Sequence, residues 1–374
     1  MTPLRTSFPT SRGSIEIGDG LPTYLIAEIG LNHNGSEELA RELIYEAVTA
    51  GASFVKFQKR SPADLATAAF LDAPFEKCPL LGSTQRVVRE RLELSLDAYV
   101  RLREYAEELG AAFFASAFDL PSLEFLLEAG VGIIKIASHS ITNGPLLDAV
   151  ASSGKPVVAS LGGATREEAD EAVRRLRGRP LVLMHCVSSY PTPDSAAYLD
   201  TIAALRSRYG VPVGFSSHED GIELSVASSV LGACMIERHF TLDRAMVGLD
   251  HGISLEPAEF GDLARRVSRL RRVRGVYPGL TDAESAARTA YHVAVCAARD
   301  VPAGTVLTRE MLLCRQPLGS SAEHFTGLEF DAVIGLRAVR DLPADRAIRR
   351  EDVHTVSGDP APAWGSELGV PAAG

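Results

Sequence analysis

From residue 21 onward, short runs rich in Val, Ile and Phe alternate with amphipathic stretches of helical period, and the pair recurs eight times. The runs occupy 24–28, 54–58, 112–116, 133–135, 157–160, 181–185, 213–216 and 235–239. The helical stretches occupy 36–50, 96–109, 121–129, 145–153, 166–177, 194–209, 221–231 and 257–272. Parallel strands cannot be joined by a tight turn; each needs a long crossover, usually a helix. A chain written as eight such units is predicted to be α/β, with a closed (β/α)8 TIM barrel.

Barrel active sites are built at the carboxyl ends of the strands. In order, those ends carry Glu28; Lys56 and Gln58; Ser116; Lys135 and Ser138; Ser160; His185; Ser216 and His218; Glu237 and His239. A polar group at every end is more than a purely structural barrel needs. His218 and His239 follow neighbouring runs, so both imidazoles are expected in one mouth, holding a divalent cation with open coordination positions. Two imidazoles leave most of the shell to water, carboxylate or substrate oxygens, which suits Mn²⁺ or Mg²⁺ more than structural zinc. Glu28 and Asp250 supply carboxylates able to exchange protons with, or hydrogen-bond to, a polyhydroxyl substrate. For Asp250 the alternative is a loop cap.

Lys56 and Lys135 each stand among apolar residues, in Phe54-Val-Lys-Phe-Gln58 and Ile133-Ile-Lys-Ile136. A lysine there snorkels out or meets an anion. Pairing with Glu28 at the rim is one reading, and a Schiff-base lysine is another. Ser116, Ser138, Ser160, Ser188 and Ser216 follow successive runs and, with Lys135, can surround one phosphate.

A formal charge of -10 without a long Lys/Arg block argues against a nucleic-acid partner. Cys78, Cys186, Cys234, Cys296 and Cys314 include no CxxC pair, a usage that fits a reducing cytoplasm. The chain opens without an apolar signal region and holds no segment resembling a membrane span, so a cytoplasmic location and no membrane partner are expected. After 272 the texture changes. A turn-rich linker is read at 275–288, and beyond it 298–311 repeats as 339–352, with Asp300 matched to Asp341. The expected organisation is a barrel domain over 1–274, the linker, a small β-rich module over 289–355, and a disordered tail over 356–374.

Five motifs in order carry a resemblance: Ala27-Glu-Ile-Gly-Leu-Asn-His-Asn-Gly35, Val55-Lys-Phe-Gln58, Lys135-Ile-Ala-Ser138, His185-Cys-Val-Ser-Ser-Tyr-Pro191 and Glu237-Arg-His-Phe-Thr-Leu-Asp243. Together they resemble the sialic acid synthase family, which includes N-acetylneuraminate, legionaminate and pseudaminate synthases. The repeat module is similar to that family's antifreeze-like SAF domain, a β-clip. The resemblance implies a metal-dependent transferase that condenses phosphoenolpyruvate with an aldehyde sugar, an N-acetylhexosamine or related aldose. The product would be a 2-keto-3-deoxy sugar acid of the nonulosonic type, with release of phosphate. It implies that His218 and His239 hold the metal, and that Lys56, Ser116, Lys135, Ser138, Ser160, Ser188 and Ser216 anchor phosphoenolpyruvate. Glu28, Gln58, Tyr190 and Asp250 would face the sugar. It also implies a domain-swapped homodimer in which the module of one subunit caps the partner's barrel.

The chain departs from the family pattern at several points. Ser217 precedes His218 where Asp is usual, Ser140 stands at a position often acidic, Leu161 replaces a Thr, and Ala117 replaces a Pro. In Cys314-Arg-Gln-Pro317 the family's Arg directly before Pro, which reaches the N-acetyl group of the sugar, is Gln316, with Arg315 one residue earlier. A one-residue shift on a strand turns a side chain to the other face. Retained condensation chemistry with altered sugar recognition is therefore expected at Arg315 and Gln316. The alternatives are a Schiff-base aldolase using Lys56 or Lys135, and a barrel kept for sugar binding or assembly.

Overall fold

Eight parallel strands close on themselves in the computed structural model, which describes residues 3–10, 12–273, 275–319 and 323–357. An antiparallel hairpin, β1 (Arg5–Thr10) and β2 (Gly13–Gly18), precedes them. The barrel strands are β3 (Tyr24–Gly30), β4 (Phe54–Lys59), β5 (Ala112–Ala117), β6 (Ile134–Ile136), β7 (Val157–Ser160), β8 (Leu181–Cys186), β9 (Val213–Ser216) and β10 (Met235–His239). Closure is made by β10 against β3, with Met235 opposite Tyr24 and His239 opposite Glu28. This is the predicted barrel. The hairpin is an addition that the chain's opening residues did not disclose, and its Phe8 and Ile17 are buried in the barrel core.

The helices form where caps and apolar spacing coincide. In α1 (Glu37–Thr49) the Ser36 hydroxyl accepts from the Leu39 N–H, and Ala40, Leu43, Ile44 and Ala47 form one buried stripe. Burying each of the larger aliphatics stabilises by about 1.5–3 kcal/mol, so Ile44→Asp would detach this helix from the sheet. Three short helices follow β4: α2 (Pro62–Leu65), α3 (Ala68–Leu71) and α4 (Gln85–Arg91). The segment that carries them has a small core of its own, in which Val88 of α4 packs with Phe75, Leu81 and Leu92 from the flanking chain. Around the rest of the barrel run α5 (Leu96–Leu109), α6 (Leu120–Glu128), α7 (Gly144–Ser152), α8 (Arg166–Leu176), α9 (Thr201–Tyr209), α10 (Glu223–Val230) and α11 (Pro257–Val273). The stretch read as one helix over 194–209 is a single 3-10 turn, Asp194–Ala196, followed by α9. Among the described residues no helix is long and apolar enough to cross a membrane.

The chain divides into two compact units after Arg274. The second begins with α12 (Asp282–Tyr291), whose Thr281 and Glu284 form a capping box, so helix stands where the sequence read mainly linker. Its sheets pair β11 (Ala294–Ala297) with β12 (Leu312–Arg315), and β13 (Arg337–Ala338) with β14 (Val353–His354). The sequence repeat becomes a reciprocal contact. The Ala303 N–H donates to Asp341 at 2.7 Å, and the Ala344 N–H donates to Asp300 at 2.8 Å. Val301 and Leu342, equivalent in the two copies, bridge each other directly. Most of the stretch read as a tail, 358–374, lies outside the described residues.

Candidate active site

Strand parity decides what enters the mouth of the barrel. On β10, Glu237 and His239 point inward and Arg238 outward, as alternation requires. Register then places Glu28 beside Lys56, Gln58 beside Ser116, and Ser116 beside Lys135. The resulting cavity, about 700 Å³, is lined by every barrel residue predicted for the site: Glu28, Lys56, Gln58, Ser116, Lys135, Ser138, Ser160, Ser188, Tyr190, Ser216, His218, His239 and Asp250. Arg315 and Gln316 belong to the second unit, where Arg315 ends β12 and forms an ion pair with Asp345. His185 was read as a strand-end group of the mouth. It faces away, with its Nε2 against the Ala197 carbonyl at 2.7 Å, because β8 runs one residue further and Cys186 takes the inward place.

At the base of the cavity charges alternate. Lys56 Nζ lies 2.7 Å from Glu28 Oε2 and 3.5 Å from Glu237 Oε1, while Lys135 Nζ lies 2.7 Å from Glu237 Oε2. All four side chains are buried. Burial alone would raise the Glu237 pKa, but Lys135 and Lys56 more than offset it and hold the carboxylate below its usual range. Burial likewise opposes the Lys56 ammonium, yet Glu237 and Glu28 hold its pKa above the usual lysine value. Lys135 is pushed down by burial, which Glu237 only partly offsets. The sequence places Glu237 at a strand end but gives it no role in the site. Its parity with His239, two residues on, was the available signal.

Hydroxyls gather above this base. The Ser216 Oγ donates to Glu237 at 3.0 Å, Lys56 Nζ donates to the Ser116 Oγ at 3.4 Å, and the Ser160 Oγ is buried with no hydrogen-bond partner. Gly162 N–H donates to the Ser138 Oγ at 3.0 Å. A Cβ on Gly162 would come within 2.7 Å of both the Ser138 and Ser188 hydroxyls, so glycine is what leaves this pocket open.

His218 and His239 sit across from it with ring centroids 5.5 Å apart, and the Tyr190 ring lies 4.1 Å from that of His218. Burial, then the neighbouring His239, pushes the His218 pKa down to about 3, so its imidazole is neutral near pH 7. Its Nδ1 faces the Val187 carbonyl at 3.2 Å, which fixes that nitrogen as the donor and leaves Nε2 as a ligand. His239 Nδ1 is buried with no hydrogen-bond partner, and the Asp250 carboxylate stands 3.8 Å away. Asp250 makes no side-chain cap, so the loop-cap alternative does not describe it. A neutral imidazole and an orphaned ring nitrogen fit a divalent cation. No group of three or more His, Cys, Asp or Glu side chains suited to a metal occurs among the described residues, so substrate or water oxygens would complete its shell.

Behind the sheet, Arg238 and Glu219 form a buried ion pair at 3.1 Å. Each is chain neighbour to one of the histidines. Glu219 also accepts from the N–H groups of Leu224 and Ser225, at 2.6 and 2.7 Å. Two residues at which the chain departs from the family pattern are used locally: the Ser217 hydroxyl bonds Glu219 at 3.3 Å, and the Ser140 hydroxyl bonds the Phe118 carbonyl at 3.1 Å.

Known proteins share this arrangement of chain. A model of the NeuB family matches residues 43–277, and a model of the SAF domain matches 292–354. An N,N'-diacetyllegionaminic acid synthase of Campylobacter jejuni is 33% identical over 336 residues, which is 87% of this chain and 99% of that protein. An N-acetylneuraminate-9-phosphate synthase of Mus musculus is 34% identical over 348 residues, covering 91% of this chain and 95% of the other. The crystal structure of an N-acetylneuraminic acid synthetase from Leptospira borgpetersenii, in complex with citrate, superposes with a TM-score of 0.66 at 34% identity, over 77% of this chain and 96% of that one. With a family model across most of the barrel and relatives matched along nearly their whole length, this chain belongs to the NeuB family of sialic acid synthase-type enzymes and carries a SAF domain.

Proposed function

We propose that this enzyme condenses phosphoenolpyruvate with an aldehyde sugar to give a 2-keto-3-deoxy sugar acid and inorganic phosphate. One observation carries the reading: two buried lysines held between two carboxylates, beneath a cluster of serine hydroxyls and beside a neutral histidine pair. Lys56 and Lys135, with Ser116, Ser138, Ser160, Ser188 and Ser216, would take the phosphate and carboxylate of phosphoenolpyruvate. Gln58, Tyr190 and Asp250 would orient the acceptor, and Glu28 would exchange protons with its hydroxyls. His218 and His239 would hold Mn²⁺ or Mg²⁺, which when bound supplies Lewis-acid polarisation of the acceptor carbonyl. Carbon 3 of phosphoenolpyruvate bonds to the aldehyde carbon, whose oxygen gains a proton. Water adds at carbon 2, and the C–O bond to phosphate breaks as the ketone forms. Fixing both substrates in one cavity supplies much of the rate.

A Schiff-base route needs a neutral lysine, and Lys135, pushed down by burial, is the better placed of the two. Borohydride treatment with a keto substrate would label Lys135 on that route and leaves it unlabelled on ours. The main test incubates the protein with phosphoenolpyruvate, Mn²⁺ and a panel of aldoses, following phosphate release and product mass. Release that stops in excess EDTA and returns with Mn²⁺ is expected. Full activity without metal would sink the metal assignment. Sugar binding with no phosphoenolpyruvate consumption by any aldose would leave the scaffold reading in its place.

A further inference from the structure

The chain leaves β6 in a single 3-10 turn, Ser138–Ser140, followed by the buried Ile141. With three residues to a turn, successive side chains point about 120° apart. Ser138 turns into the serine cluster, where its hydroxyl accepts from the Gly162 N–H. Ser140 turns into the wall and is buried. His139, between them, opens into the mouth, where the condensation steps leave it without a role. In the closed strand order β6 lies four strands from β10 in either direction, so His139 stands across the mouth from His239. Among the described residues it forms no metal-binding group with His218 and His239.

Its neighbours hold the ring in one tautomer. The Ser140 hydroxyl donates to the Phe118 carbonyl at 3.1 Å, and that carbonyl receives no other hydrogen bond among the described residues. Phe118 is buried, so its carbonyl holds its donor and the single hydroxyl proton of Ser140 is committed there. Ser140 Oγ therefore faces His139 Nδ1, 3.2 Å away, as an acceptor, and Nδ1 carries the ring proton. Burial, then Arg60 and Arg89, push the His139 pKa below its usual value, so the ring is neutral near pH 7. Nε2 is left bare and meets no donor among the described residues. The Phe118 ring flanks the imidazole at 5.5 Å. The acid often found at position 140 in the family would draw a second proton onto the ring; the serine of this chain does not.

The base of the cavity offers ammonium groups and hydroxyls, which suit an anion. A bare imidazole nitrogen does the opposite: it repels phosphate and carboxylate oxygens and takes an O–H. We infer that His139 is an aldose-binding residue, whose Nε2 accepts a hydrogen bond from a sugar hydroxyl on the side of the mouth opposite the histidine pair. This rests on the condensation reading and names a residue that selects its second substrate. An aldose without that hydroxyl would cover Nε2 and leave it unpaired, which costs more than the missing bond alone.

The test uses the full chain with Mn²⁺. Mannose, glucose and their 2-acetamido-2-deoxy forms are assayed with phosphoenolpyruvate, each intact and deoxygenated in turn at every carbon beyond the second. His139→Leu should raise the aldose KM about 3- to 10-fold, as for loss of a neutral hydrogen bond, and leave the phosphoenolpyruvate KM unchanged. One deoxy sugar should lose a similar factor in the wild type and nothing further in His139→Leu, a coupling that a merely structural role does not produce. An unchanged aldose KM, an equal rise for phosphoenolpyruvate, or deoxygenation penalties identical in the two proteins would each overturn the inference. The alditols of the same sugars, which cannot react, are titrated in parallel by calorimetry. If no aldose is consumed, alditol binding that weakens in His139→Leu would overturn the condensation reading and leave the role of His139 standing. No alditol binding by the wild type would in that case overturn both.

Discussion

The mouth of the barrel carries two rings of charge built on opposite terms. The inner ring, Glu28, Lys56, Glu237 and Lys135, stands on strands, is buried and is internally paired. The outer ring, Arg60, Lys77 and Arg89, stands beyond the strand ends on a loop-rich excursion, partly or fully reached by solvent and without salt bridges among the described residues. The difference follows from solvation. A buried charge left unmatched costs several kcal/mol, so the inner ring has to be balanced before any substrate arrives. At the rim Lys77 and Arg89 are reached by solvent and can stand without a partner charge, while Arg60 is steadied by the Phe118 ring and the Gln58 side chain. An inner ring so constrained suits a common reaction, and a rim so free suits the choice of acceptor.

Breaking the inner balance should have the largest effect. Glu237→Leu leaves Lys56 and Lys135 buried with one carboxylate fewer, and about 3–5 kcal/mol of stability should be lost, read as a drop in the urea midpoint. An unchanged midpoint would mean that the inner ring is not held by its pairing. Lys135→Met separates chemistry from stability. Its kcat/KM for phosphoenolpyruvate should fall about 100- to 1000-fold, as when a preorganised donor is removed, while its midpoint moves less than that of Glu237→Leu. Equal stability losses in the two variants would make the ring structural first.

A pH series probes the packing behind the strands instead of either ring. His33 is buried, stacks on Phe57 at 5.7 Å and accepts the Gly35 N–H at 3.1 Å, and burial lowers its pKa to about 4. The unfolded chain therefore binds a proton that the folded chain refuses. Its contribution is fully present above the unfolded value and is lost as pH falls from about 6.5 to about 4, on the order of 3 kcal/mol in all. In His33→Asn the stability–pH slope over that window should flatten; an unaltered slope would assign the acid sensitivity elsewhere. The smallest effect belongs to the rim. Lys77→Ala should raise the acceptor KM by roughly two- to five-fold at low salt, with the difference fading in high salt, where surface charges are screened. A salt-independent effect would place Lys77 with the inner ring.

The same division governs what could be read in advance. The strands at 157–160, 213–216 and 235–239 were legible to the residue, because a buried parallel strand flanked by helices is a run of apolar residues with clear ends. Glu28, Lys56, Lys135, His218 and His239 were legible because polar groups inside such runs stand out. Glu237 was legible as a strand-end group but its role was not, because its partners lie on β4 and β6, far from it in the chain. Nothing in the sequence located Arg60 or Arg89. Residues 60–92 have no sustained period, and their position depends on a small core formed with Leu31 and Leu249. The second unit was legible through its repeat, because Asp300 and Asp341 each cap the other copy.

The ion pair behind the sheet has a consequence for how such a site can change. Glu219 follows His218 and Arg238 precedes His239, so the two imidazoles are fastened together from the far side of the wall. Their spacing is set by a clasp that touches neither substrate. Loops at the rim can therefore be exchanged, and one sugar traded for another, without retuning the distance between the two histidines.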